Sequence, residues 1–245
     1  MDITETSTND LVYCAWLICC HGVENSTFQK IGVDDLDVYS IKYNGKTYVS
    51  FYSNNPFFLL DLRKVQTDNG FIRRGLLHYI KQFYTIKQRL NIDEDPIVFT
   101  GHGAGGAIAT LFSWFYDVPS HVYAFGSYPM GDVQFCENFT NDLVEKDVII
   151  QRFVSESDVF ARFPYNPNEK ASPESFMNYS FPGSTVYLGK DPKVLFDPTY
   201  VPDCISYTLP KYYYFAIKNL EEHSGPTNSS VLFTQSSVEM DRESK

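Results

Sequence analysis

Apolar and polar positions recur with different periods along the 245-residue chain, and those periods predict its elements. Leu11 to Cys20 is an unbroken apolar stretch behind polar residues 1–10, which reads as a core helix capped by Ser7, Thr8 or Asn9 and preceded by a frayed tail. Val38 to Tyr43 and Lys46 to Phe51 are β-rich alternating runs about Asn44-Gly45, a strong hairpin signal. The turn cluster Tyr52 to Pro56 then leads into Phe57, Phe58, Leu59 and Leu60, four consecutive apolar residues that suit a buried half-turn or a mobile flap. From Phe71 to Leu90 the residues Ile72, Leu76, Tyr79, Ile80, Phe83 and Leu90 share one helical face, so a long amphipathic helix is predicted there. Val98 to Leu111 is an apolar run, a glycine-studded turn, and small and apolar residues at helical spacing: strand, turn, helix. A strand at Val122 to Gly126, a helix over 132–144 and a strand at Val148 to Val154 follow. Beyond Pro164 the chain is rich in Pro, Asn and Tyr, with a short β run at Ser184 to Leu188, an aromatic block at Tyr212 to Phe215 and a polar, mobile tail over 236–245. Strands alternating with helices, without repeat or linker, predict one α/β domain over 1–245 with a mainly parallel central sheet and helices on both faces.

The candidate chemistry sits in the glycine-studded turn. In a nucleophile elbow, G-x-S-x-G, flanking glycines let a strand turn sharply into a helix so that the central hydroxyl projects over the sheet edge. Here the frame is Gly101-x-Gly103-x-Gly105: the flanking glycines stand where that turn wants them, and the nucleophile position has no side chain. Acyl-enzyme chemistry needs an oxygen or sulfur within reach of a base. Ala104 offers neither, and Ser113 lies about two to three turns along the helix.

Composition narrows the partners more than the fold. A formal net charge of -10 disfavours nucleic acid and anionic bilayers. Tyr (18) and Phe (20) make an aromatic-rich chain, suited to a bulky core or to ligand and partner surfaces. The five cysteines (Cys14, Cys19, Cys20, Cys136, Cys204) show no C-x-x-C pair and no zinc spacing, so neither metal nor cofactor is expected. Asp2, Glu5 and Asp10 stand where a signal peptide needs a basic region, and no apolar run reaches membrane-span length, which favours an intracellular protein. Four N-x-S/T sequons, beginning at Asn25, Asn138, Asn178 and Asn228, do not decide the compartment.

Four collinear segments resemble the class 3 lipases, the fungal branch of the α/β-hydrolases. Thr100-Gly101-His102-Gly103-Ala104-Gly105-Gly106-Ala107 is similar to that family's T-G-H-S-L-G-G-A elbow, and Phe125-Gly126-Ser127-Tyr128-Pro129-Met130-Gly131-Asp132 to its F-G-S-P-R-V-G-N segment. Phe153 to Pro164 resembles the stretch that holds the triad aspartate, and Gly70-Phe71 the family's G-F ahead of the long helix. The resemblance implies an α/β-hydrolase fold, with Asp158 at the triad acid, His223 at the triad base and Gly103 at the vacant nucleophile position. His102 and Gly105 frame the elbow, as does Gly101. Asn54 and Ala104 fall at the two oxyanion positions, and Phe57 to Leu60 at the start of the lid. The family's F-R-G-T or F-R-G-S is replaced by Phe51-Tyr52-Ser53-Asn54, so the oxyanion segment departs from the pattern along with the nucleophile.

The resemblance, with its departures, implies a lipase-like protein that lacks serine-hydrolase activity and is retained as a binding, structural or self-assembly module. The alternative is a lipid or ester hydrolase whose serine has been replaced, or one that activates water through Asp158 and His223. An acyl or lipid ligand and self-association are the expected partners.

Overall fold

The structure is a computed structural model and describes residues 8–19, 28–55, 61–90, 92, 96–116, 118–155, 158, 161, 179–188 and 194–196. Its centre is an eight-stranded sheet, ordered β1 (Gln29–Val33), β2 (Leu36–Tyr43), β3 (Lys46–Ser53), β6 (Ile97–His102), β7 (Ser120–Phe125), β8 (Val148–Ser155), β9 (Ser184–Leu188), β10 (Val194–Phe196). The run β3-β6-β7-β8-β9 is parallel, while β1-β2-β3 and β9-β10 pair antiparallel at the two edges. A separate hairpin joins β4 (Lys64–Thr67) to β5 (Gly70–Arg73).

Side chains alternate across the sheet with period two, and each face has its own helices. Val49, Phe51, Phe99, Val122 and Ala124 point into one core with α2 (Arg74–Arg89), α3 (Ala104–Ser113) and α4 (Val133–Val144). Their neighbours Tyr48, Val98, Tyr123, Phe125 and Phe153 point the other way, onto Leu11, Cys14, Ala15, Leu17 and Ile18 of α1 (Thr8–Cys19). The parallel sheet covered on both faces is therefore as the sequence predicts.

The hairpin about Asn44-Gly45 forms because both residues take positive φ, 49° and 72°, the geometry that suits a two-residue connection between twisted strands. Two boundaries differ from expectation. The first helix begins at Thr8, a start that a cap at Ser7 allows, so residues 8–10 are helix rather than frayed tail, and Asp10 is buried there: its carboxylate accepts from the Tyr48 hydroxyl at 2.7 Å and pairs with Lys46 at 2.5 Å. Residues 71–73 belong to β5 rather than to the long helix, which starts at Arg74. Its first amide groups donate to loop carbonyls, Arg74 to Arg63 and Gly75 to Asp61, so no side-chain cap is required. The helix after β7 has such a cap: the Asp132 carboxylate accepts from the Phe135 amide at 2.8 Å. Among the described residues no helix is long and apolar enough to cross a membrane.

Candidate functional site

The turn between β6 and α3 has the geometry of an elbow. Gly103 lies at φ 57°, ψ -115°, a conformation side-chain-bearing residues rarely adopt. Its amide donates to the Phe125 carbonyl at 2.9 Å and its carbonyl accepts from Ala107 at 3.4 Å, opening α3. The flanking glycines are there for close approach. A Cβ on Gly101 would sit 2.3 Å from the Gly105 carbonyl carbon, and one on Gly105 would sit 2.0 Å from the Phe51 carbonyl oxygen. At Gly103 itself, among the described residues, an added Cβ would meet nothing nearer than the Tyr128 hydroxyl at 3.9 Å. The backbone of the turn holds a side chain's place without a side chain in it.

Other predicted site residues come off the same edge of the sheet. In the parallel register Phe51 stands beside Gly101, His102 beside Phe125, and Phe125 beside Phe153, so the ends of β3, β6, β7 and β8 open side by side. From β8 the chain reaches Asp158, which is 2% exposed, donates its amide to Ser155 at 3.1 Å and accepts from the Ala161 amide at 3.3 Å. From β6 come half-buried His102, then Gly103 and Ala104, the last 8% exposed at the first position of α3.

From β3 comes Asn54, whose backbone amide is committed to the Asp35 carbonyl at 2.7 Å and whose side chain is exposed. Any contribution of Asn54 to an oxyanion hole therefore falls to its side-chain amide. Ser113 is buried, its hydroxyl donating to the Thr110 carbonyl at 2.7 Å. His223 and the segment Phe57, Phe58, Leu59 and Leu60 lie outside the described residues.

Comparison with known proteins gives the arrangement its lineage. The profile of the family described as Lipase (class 3) matches residues 45–168, just over half of the 245-residue chain, and that span contains all four motif segments. The chain belongs to the class 3 lipase family. Solved structures agree on the fold. A triacylglycerol lipase from Penicillium expansum superposes with a TM-score of 0.60 at 12% identity, over 84% of this chain and 93% of that one. Lipase II from Rhizopus niveus gives 0.53 at 15% identity, over 73% and 77%, and a mono- and diacylglycerol lipase from Aspergillus oryzae gives 0.56 at 17%, over 80% and 88%. No curated protein sequence matches the chain.

Against this class 3 lipase background two side chains at the site escaped sequence reasoning. Tyr128, on the loop after β7, is the group nearest to the place a residue-103 side chain would occupy. The phenol stands where the family segment carries proline, which is the signal that was available. Arg73, at the end of β5, is 1% exposed, and its Nη1 donates to the Pro129 carbonyl of the same loop at 3.0 Å. Nothing in the local pattern separates Arg73 from the solvated Arg74 beside it. The class 3 profile ends before His223, so the candidate base lies outside the matched span as well.

Proposed function

We propose that this class 3 lipase-fold protein has no serine-hydrolase chemistry and is retained as a binding or assembly protein with an acyl or lipid ligand. The observation that carries the reading is a glycine at position 103, at φ 57° in the turn between β6 and α3. An ester carbonyl held at this sheet edge would find a buried carboxylate at Asp158 and no nucleophilic atom at residue 103. The altered oxyanion segment supports the same reading, because the Arg and Gly of the family pattern are replaced and the Asn54 backbone amide donates to Asp35, leaving only its exposed side-chain amide. Phe57 to Leu60, placed like the start of a lid, would in such a protein seal the site or pack on a second copy instead of opening at an oil-water interface.

One observation favours the second reading, a hydrolase that has lost only its serine. The turn keeps the backbone conformation that a nucleophile needs, and among the described residues nothing lies nearer than 3.9 Å to where its Cβ would stand. On that reading Gly103→Ser restores activity, with Asp158 and His223 as acid and base. The direct test is hydrolysis of short- and long-chain p-nitrophenyl esters by the purified protein. No His223-dependent turnover is expected. Turnover that vanishes with His223→Ala would overturn the proposal, since removing a triad in serine hydrolases still leaves roughly 10³ to 10⁴ over water and faint activity alone does not decide.

A further inference from the structure

A face of α2 separate from its core stripe borders a cavity of about 610 Å³, within the usual size of a small-ligand site. The helix buries Leu76, Tyr79, Phe83 and Ile86 in the core and gives the cavity Arg74, Leu77, His78 and Lys81, spaced i, i+3, i+4 and i+7. The segment ahead of β4 closes the other side. There the Asp61 and Arg63 carbonyls accept the Gly75 and Arg74 amides at 3.3 and 2.8 Å, which holds those two residues against the helix. Val65 and Leu77, partly buried against the core, make an apolar wall. Among the described residues, none that lines this cavity belongs to the elbow turn.

The charges around the cavity are unequal. Arg63, Arg74 and Lys81 line it against one carboxylate, Asp61, in a chain whose net charge is -10. That carboxylate is already engaged: its two oxygens accept from Arg63 Nε and Nη2 at 2.7 Å each, and Arg74 Nε reaches it only at 3.7 Å. Lys81 has no partner among the described residues. His78 faces the cavity with its Nε2 on the Asp35 carboxylate at 3.1 and 3.2 Å, so the remaining nearby acid is matched as well. The first two amides of α2 are spent on loop carbonyls, and the excess positive charge therefore belongs to the side chains of Arg74 and Lys81 rather than to the helix end.

We propose that this cavity binds a phosphate monoester with a short apolar group, its phosphate between Arg74 and Lys81 and its apolar part on Val65 and Leu77. Arg74 and Lys81 are seven residues apart, about 10 Å along the helix axis, and both side chains are long enough to close on one group from either side. A phosphate monoester is close to a dianion at neutral pH, so it engages two cations where a carboxylate engages one. The same chemistry is carried by a soluble organic phosphate and by the headgroup of phosphatidic acid. The proposal is independent of the chemistry at position 103 and stands whether or not esters are cleaved.

Hexyl phosphate, hexanol and inorganic phosphate test the whole ligand against its two halves. Titrated calorimetrically into the full chain at low ionic strength and slightly alkaline pH, hexyl phosphate is expected to bind at least about tenfold more tightly than either half. Arg74→Gln and Lys81→Gln should each weaken it about two- to fivefold, the range of an exposed charge contact, and added salt should narrow the difference. Both side chains are exposed, so neither change threatens the fold. Lys87→Gln removes the same charge from the same helix, at a side chain that donates to the Phe115 carbonyl instead, and should leave the affinity unchanged. Flotation with phosphatidylcholine vesicles, with and without phosphatidic acid, separates the two sources. Capture that needs phosphatidic acid, Arg74 and Lys81 assigns the site to a lipid headgroup, and hexyl phosphate binding without capture assigns it to a soluble phosphate. Hexyl phosphate binding no tighter than its halves, or an equal loss in Lys87→Gln and the two cavity variants, would overturn the proposal.

Discussion

Replacing Gly103 with alanine isolates what the elbow backbone costs. The added Cβ meets the Tyr128 hydroxyl at 3.9 Å, an ordinary contact, so packing contributes little and the penalty is conformational. Holding an alanine at φ 57°, ψ -115° costs roughly 1 to 3 kcal/mol. For a chain of this size each kcal/mol moves the thermal midpoint by about 2 to 4 °C, so a fall of roughly 2 to 12 °C is expected. Gly103→Ser should match alanine within about 0.5 kcal/mol, since among the described residues its Cβ meets the same ordinary contact. Gly105→Ala is the contrast. There the Cβ lands 2.0 Å from the Phe51 carbonyl oxygen, and α3 must withdraw from β3, so its loss should exceed that of either Gly103 variant. Circular-dichroism melts at one scan rate compare all three. A Gly103→Ala midpoint at or above that of the wild type would refute the elbow geometry. A Gly105→Ala loss smaller than that of Gly103→Ala would refute the packing of α3 on β3.

Four further outcomes are expected, three from the structure and the last from the sequence. Asp10→Ala leaves the buried Tyr48 hydroxyl without its acceptor, which should cost about 1 to 3 kcal/mol, read as a lower midpoint in the same melts. Burial raises the pKa of Tyr79, Tyr179 and Cys136 to about 12 in the folded chain. Because the unfolded chain gives up those protons at lower pH, that stabilisation is present below about pH 9 and declines as pH rises toward 12, which melts at stepped pH will show. The buried Cys14 and Cys136 thiols should also resist a disulfide reagent until the protein unfolds, read by mass mapping of the modified peptides. Phe57→Ser with Phe58→Ser should lower either the thermal midpoint or the mass by light scattering; no change in either would make the segment a free flap.

The parallel sheet and its helices were legible because strands buried on both faces read as continuous apolar runs, and because Asn44-Gly45 and Gly101-x-Gly103-x-Gly105 mark turns that few other residues permit. The edge strand β1, with its QKIGV sequence and exposed Gln29, Lys30 and Gly32, and the hairpin strand β4 carry too little apolar alternation to stand out. Residues 71–73 share the helical face of α2 in sequence. They become strand because their partners lie outside it: β4 pairs with them, and the Arg73 amide donates to the Met130 carbonyl. Arg73 and Tyr128 were illegible for the same reason, since a buried cation is defined by what surrounds it. The motif that holds Asp158 follows β8 in the sequence, and the parallel register brings the end of β8 to the sheet edge where Gly103 stands.

The most direct test of the central claim is intact-mass measurement after incubation with a fluorophosphonate probe, on the wild-type chain and on Gly103→Ser. The account predicts an unlabelled wild type, with any new adduct in the variant mapping to residue 103. Stoichiometric labelling of the wild type that is lost with His223→Ala would contradict it.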